Sequence, residues 1–190
     1  MNRSSSVTTI LVVVGCLLAG ASPSSAQGPY YAVPAWDQKL PTNTRFVLVF
    51  FEEVCVNNLC GQVARGVLDR ETGLVWERSP SSTLNVWREA LRQCADTAHA
   101  NRMGWRLPTV DELTSLLDPS IVSGARLPPG HPFLNVSSGS FYWTATQSGI
   151  TISDPALGSF HYVIDLDTPG VGSVSDPQQH FAWCVRGGAK

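Results

Sequence analysis

The chain has 190 residues, with 13 Lys and Arg against 15 Asp and Glu and five cysteines. That length allows one domain, or one domain with an extension, and supports a real core without dense disulfides or metals. Only 15% of residues are charged, which excludes a disordered polyelectrolyte, and the net charge of −2 argues against a general nucleic-acid binder.

The chain opens with an address. Arg3 and the amino terminus form a short positive region, and Val7 to Gly20 is apolar. Ser24-Ser25-Ala26 supplies small residues before Gln27, so residues 1–26 read as a secretory signal peptide. The run is short of the ~20 residues a membrane span needs, and no later segment approaches that length. An alternative is a lipoprotein box, Val13-Val14-Gly15-Cys16, in which Cys16 would carry lipid. The expected location is secreted or periplasmic. Cleavage after Ala26 leaves 12 basic residues against 15 acidic, a net charge of −3.

Four cysteines then remain: Cys55, Cys60, Cys94 and Cys184. An even number in an exported chain reads as two disulfides, with three possible pairings. Cys55 and Cys60 flank Asn57-Asn58, a turn-forming pair, so a local bridge closes easily. That leaves Cys94 with Cys184, a closed loop of about 90 residues worth up to ~4.5 kcal/mol in the chain-entropy account. There is no CxxC and the histidines are scattered, so no metal and no cofactor is implied.

Residues 27–66 read as an N-terminal extension. Gln27 to Thr44 is expected to be mostly extended. Phe46 to Phe51 is a continuous apolar run and reads as a buried strand. The Cys55/Cys60 hairpin follows, and Val63 to Leu68 returns as a strand. Asp69 to Gly73 is a turn before a short strand, Leu74-Val75-Trp76. Asn85 to about His99 is the clearest helix, with Asn85 as N-cap and Trp87, Ala90, Leu91, Cys94 and Ala98 on one apolar face. Thr109-Val110-Asp111-Glu112 is a capping box opening a second helix, which Leu113, Leu116 and Leu117 bury and Pro119 ends. Phe141 to Thr146, Phe160 to Leu166 and Phe181 to Val185 read as strands. Residues 123–135, 147–159 and 167–180 read as long loops. The pattern is α+β, with two helices, short antiparallel strands and long loops, pinned by disulfides.

Five strings in order carry a resemblance. They are Asp69-Arg70-Glu71-Thr72-Gly73-Leu74-Val75-Trp76; Trp87-Arg88-Glu89-Ala90 with Cys94; Trp105-Arg106-Leu107-Pro108-Thr109 with Glu112-Leu113; Tyr142-Trp143-Thr144-Ala145-Thr146; and Cys184-Val185-Arg186. Over residues 67–187 the chain resembles the Lcl C-terminal domain family. The resemblance implies a C-type-lectin-like fold, in which a helix cysteine pairs with one in the last strand, in agreement with Cys94 and Cys184. It also implies adhesin-like carbohydrate binding, since the family's founding member binds sulfated glycosaminoglycans through this domain. The Arg-Leu-Pro-Thr string and the Val185-Arg186-Gly187-Gly188 ending are further similar to the sulfatase-modifying enzymes.

Candidate sites are few. Arg88, Arg92, His99 and Arg102 fall within about 80° of one another if the helix runs that far, forming a cationic stripe for a sulfate or carboxylate. The bland alternative is a solvated helix edge. Arg106 is expected to bond carbonyls or a carboxylate such as Asp111 or Glu112. Five tryptophans, Trp76, Trp87, Trp105, Trp143 and Trp183, sit in apolar strings and read as core; Trp36 stands in the polar extension. Asp165 and Asp167 share a strand face, which suits a paired-carboxylate or calcium site or simply a wet face. There is no G-x-S-x-G, H-E-x-x-H, P-loop or dinucleotide glycine string. The sequence therefore points to a non-catalytic recognition domain whose long loops between residues 120 and 180 bind a glycan or surface polymer. A structural or assembly subunit of an envelope complex, alone or as a homo-oligomer, and an enzyme related to the sulfatase-modifying group are the alternatives.

Overall fold

A computed structural model describes residues 40–150, 158–168 and 170–187. Residues 1–26, read above as a signal peptide, with Cys16, Trp36, the first part of the extension and Gly188, lie outside the described residues. The architecture is α+β, mostly strands with three short helices.

The chain enters through α1 (Thr42–Arg45), a single turn begun at Pro41. This helix falls where extended chain is expected. β1 (Phe46–Val56) and β2 (Leu59–Asp69) then form one long hairpin. Both strands run further toward the tip than their apolar runs suggest. Asn57 and Asn58 both adopt left-handed conformations (φ 50° and 63°), which close a two-residue turn matching the strand twist. The register therefore holds out to Val56 opposite Leu59. β1 is not the fully buried strand expected. It is the edge of its sheet, and beyond Phe46 its residues are half-buried or exposed.

At Phe50 the strand bends through a left-handed conformation (φ 55°). The ring meets the edge of Trp105, with centroids 6.0 Å apart. Gly66 makes this possible: a Cβ there would stand 3.1 Å from the Phe50 ring and 3.1 Å from the side chains of Val49 and Val75.

β2 pairs with β3 (Val75–Glu77), which pairs with β10 (Val185–Arg186), which pairs with β5 (Trp105–Arg106). The second sheet has the order β4 (Leu84–Asn85), β9 (His180–Phe181), β6 (Phe141–Gln147), β7 (Phe160–Asp165) and β8 (Gly170–Ser175). Pairing is antiparallel except between β6 and β9, which meet in parallel at Tyr142 and Phe181. β8 lies inside a stretch expected to be loop; its Gly-Val-Gly-Ser string carries little strand propensity and is held by six register pairs with β7.

α2 (Trp87–Asp96) and α3 (Val110–Thr114) complete the elements. The capping box of α3 is present as read. Thr109 Oγ1 accepts the Glu112 N–H at 3.2 Å, and Glu112 Oε2 accepts the Thr109 N–H at 2.9 Å. α3 stops short of Pro119; turns continue from it, and Leu113 and Leu116 are buried.

The core forms two clusters. One joins Trp76, Trp183, Tyr142, Phe133, Leu113, Leu116 and Ile164. The other joins Ala90, Cys94, Trp105, Leu107, Trp143, Val163 and Cys184 beneath α2. Cys94 and Cys184 are bridged there, with Cα atoms 5.4 Å apart. Cys55 and Cys60 are bridged at the hairpin tip. Both pairings match those read from the sequence.

Candidate functional site

α2 positions the predicted cationic residues, and its limits decide which of them stay together. Asn85 is not the N-cap. It belongs to β4, where its carbonyl accepts the Trp143 indole N–H at 2.7 Å and its amide donates to Gln93 Oε1 at 2.7 Å. The helix begins two residues later, behind Val86. Ala90 and Cys94 are fully buried one turn apart, while Arg88 and Arg92, also one turn apart, are exposed. Trp87 lies over the His161 ring, with centroids 3.7 Å apart, and its indole N–H donates to the Thr144 carbonyl at 2.9 Å.

The helix ends at Asp96, so the stripe does not continue along it to His99 and Arg102. Thr97 turns out into extended chain, and its hydroxyl donates to the Gln93 carbonyl at 2.9 Å. Ala100 and Asn101 both adopt left-handed conformations (φ 48° and 58°) and close a tight turn across which His99 and Arg102 pair. His99 thereby turns inward and Arg102 stays exposed.

His99 Nε2 lies 3.0 Å from Glu77 Oε1. The second Glu77 oxygen accepts the Cys184 N–H at 3.2 Å. On the other side of the turn, the Ala100 N–H donates to Glu52 Oε1, and Arg65 Nε donates to Glu52 Oε2 at 2.7 Å. The Ala100 N–H, together with Arg65, lowers the Glu52 pKa by stabilising its anion. This polar group ties the turn to the first sheet. Sequence reading missed Glu52 and Glu77, because their partner lies on a turn whose shape no string announces.

Several other polar groups are committed to architecture. Arg106 grips Glu112 with two hydrogen bonds of 2.7 and 2.6 Å and also reaches the Gly187 carbonyl. Asp165 accepts from the Asp167 N–H and the Thr168 hydroxyl, and Asp167 leaves the strand, so the two carboxylates do not form a pair. Trp76, Trp105, Trp143 and Trp183 are buried and Trp87 is half-buried. His161, on β7, is buried 2.9 Å from Asp176 Oδ1; burial lowers its pKa and Asp176 partly opposes that.

Of the loops expected to bind ligand, that of residues 123–135 is pinned to the body, and residues 151–157 lie outside the described residues. Leu127 and Phe133 enter the core, and Arg126 Nε donates to the Asp167 carbonyl at 2.7 Å. Between residues 120 and 180, Phe141 is the one exposed aromatic residue among those described. Among the described residues, the guanidinium groups of Arg70, Arg88, Arg92 and Arg102 alone make no hydrogen bond, ion pair or ring contact. Glu53, Cys55 and Cys60 are the one group of three metal-capable residues among those described, with ligand atoms within 4.8 Å of one another. Their sulfurs are joined to each other and supply no thiolate.

The geometry defines a disulfide-linked α+β domain with a free arginine edge on its longest helix. Residues 65–186 match the family described as the Lcl C-terminal domain, and the chain belongs to that family. No curated protein and no solved structure matches it. Among the described residues no helix is long and apolar enough to cross a membrane.

Proposed function

We propose that this chain is an exported, non-catalytic recognition domain of C-type-lectin-like fold. It binds an anionic glycan or surface polymer through Arg88 and Arg92 on α2, joined by Arg102 on the following turn. The observation that carries the reading is the distribution of uncommitted arginines: three of the four with no partner among the described residues lie on α2 or just beyond it. A guanidinium with no internal partner keeps its donors for a carboxylate or sulfate. The sequence is acidic overall, so this binding is local and not a bulk Coulombic effect. His99 is a positioning residue here, holding the turn that carries Arg102 against Glu77.

The test is a glycan-array assay that includes sulfated and uronic polymers at low and physiological salt. Binding should persist at physiological salt and fall at least about tenfold in R88A/R92A, a loss of roughly 1.4 kcal/mol. Binding unchanged in that variant removes this site from the reading.

A second reading, an assembly subunit of an envelope complex, is favoured by the hairpin arm. Val54, Val56, Leu59 and Val63 share one of its faces, and Val56 and Leu59 are 63% and 80% exposed. That reading expects concentration-dependent self-association in sedimentation, abolished by Leu59→Lys; a monomer at all concentrations counts against the homo-oligomer. The four described cysteines are all bridged, so a cysteine enzyme would first need one bridge opened.

A further inference from the structure

The two disulfides join cysteines in opposite surroundings. Cys94, on α2, and Cys184, just before β10, are fully buried. Cys55 and Cys60 face each other one pair below the hairpin turn, and every residue from 55 to 63 is exposed. The hairpin has supports for its shape besides the bridge. Its turn is set by Asn57 and Asn58, and backbone pairing continues on both sides of the cysteines. An exposed bridge in a strand pair that holds itself together is open to attack without unfolding.

We propose that Cys55–Cys60 is a thiol–disulfide exchange site for an external dithiol in the folded state, and that Glu53 restrains its rate. In the first step a thiolate of the dithiol attacks one sulfur. A mixed disulfide forms, the Cys55–Cys60 bond breaks, and the displaced cysteine leaves as a thiolate that takes a proton from water. The dithiol's second thiol, deprotonated to water, then attacks the mixed disulfide. The reagent leaves as a cyclic disulfide, and the second cysteine thiolate is protonated in turn. Two electrons pass from the dithiol to the bridge, which ends as two thiols.

Glu53 lies on the same ribbon face as the cysteines, two positions before Cys55, with a carboxylate oxygen within 4.8 Å of both sulfurs. Its charge repels the incoming thiolate and disfavours the departing one. At that separation in water the repulsion corresponds to up to about fourfold in rate at low ionic strength, and salt screens it.

The experiment treats the folded, oxidised protein with dithiothreitol, without denaturant, and alkylates at timed intervals before peptide mapping. Cys55 and Cys60 should be labelled at least about tenfold faster than Cys94 and Cys184. Glu53→Gln should raise that rate up to about fourfold at low salt, with the gain shrinking as salt is added. A C55S/C60S variant should keep the wild-type circular dichroism and a cooperative melt. Labelling of all four cysteines at one rate, or labelling only in denaturant, overturns the exchange site, as does an unfolded C55S/C60S. A rate unchanged in Glu53→Gln overturns the role of Glu53.

Discussion

The hairpin arm and the body beneath it use the same chemistry to opposite effect. Each contains one disulfide and a set of apolar side chains. In the arm, residues 55–63 are all exposed, and the bridge closes a span of 5 residues already ordered by its turn. In the body, the bridge spans 90 residues and joins α2 to the residue just before β10 within a core cluster. The contrast teaches that a cross-link stabilises according to the freedom it removes and the packing around it, not according to its bond. The arm keeps its apolar and sulfur groups available, while the body consumes its own.

The largest expected break in this contrast comes from removing each bridge. C94A/C184A should cost about 4.5 kcal/mol from chain entropy, plus a packing loss in the core, whereas C55A/C60A should cost about 2 kcal/mol at most. Urea unfolding of the two variants reads the difference directly; equal midpoints would mean that the arm is as integral as the body.

Leucine truncation gives the next effect. Leu113 is fully buried among Trp76, Leu116 and Ile164, so Leu113→Ala should cost about 2–5 kcal/mol. Leu59, on the arm, is 80% exposed, and Leu59→Ala should stay within about 0.5 kcal/mol. Thermal melts of both variants measure this; a large loss in Leu59→Ala would show the arm packed in solution.

The smallest effect sharpens the same division by pH. Burial lowers the pKa values of His131, His161 and His180, all of which lie in the body. Each therefore binds protons less readily folded than unfolded. Stability from these groups is present above the ordinary histidine value of 6.5 and declines as pH falls below it. Melting temperature should drop between pH 7 and pH 5, and His161→Phe should flatten part of the slope. A profile unchanged down to pH 5 would contradict the burial of these rings.

Much of the molecule was legible in the sequence. The Thr109 capping box, the Cys55–Cys60 bridge of the arm, the Arg106–Glu112 link and the burial of Trp76, Trp105, Trp143 and Trp183 follow from patterns that are local or nearly so. The Cys94–Cys184 pairing spans 90 residues and followed only because the local bridge left those two cysteines over. The candidate site was legible in part. Arg88 and Arg92 stand one turn apart on an exposed helix face, as helical periodicity requires. The departure of His99 from that stripe was not legible. It depends on the helix stopping at Asp96 and on two left-handed residues, Ala100 and Asn101, of which alanine gives no turn signal.

The sequence by itself determined what rests on short spacing: which residues alternate, which cap, and which two cysteines close the hairpin. The tertiary structure alone decided what rests on encounters between distant segments. It made β8 a strand by pairing glycine-rich chain with β7, set His161 beside Asp176, and brought Glu77 to both His99 and the Cys184 amide. It also left the arm's apolar face and its disulfide open. The physical reason is range: propensity and periodicity act within a turn or a strand, while burial and polar pairing are settled only when segments far apart in the chain compete for the same partners.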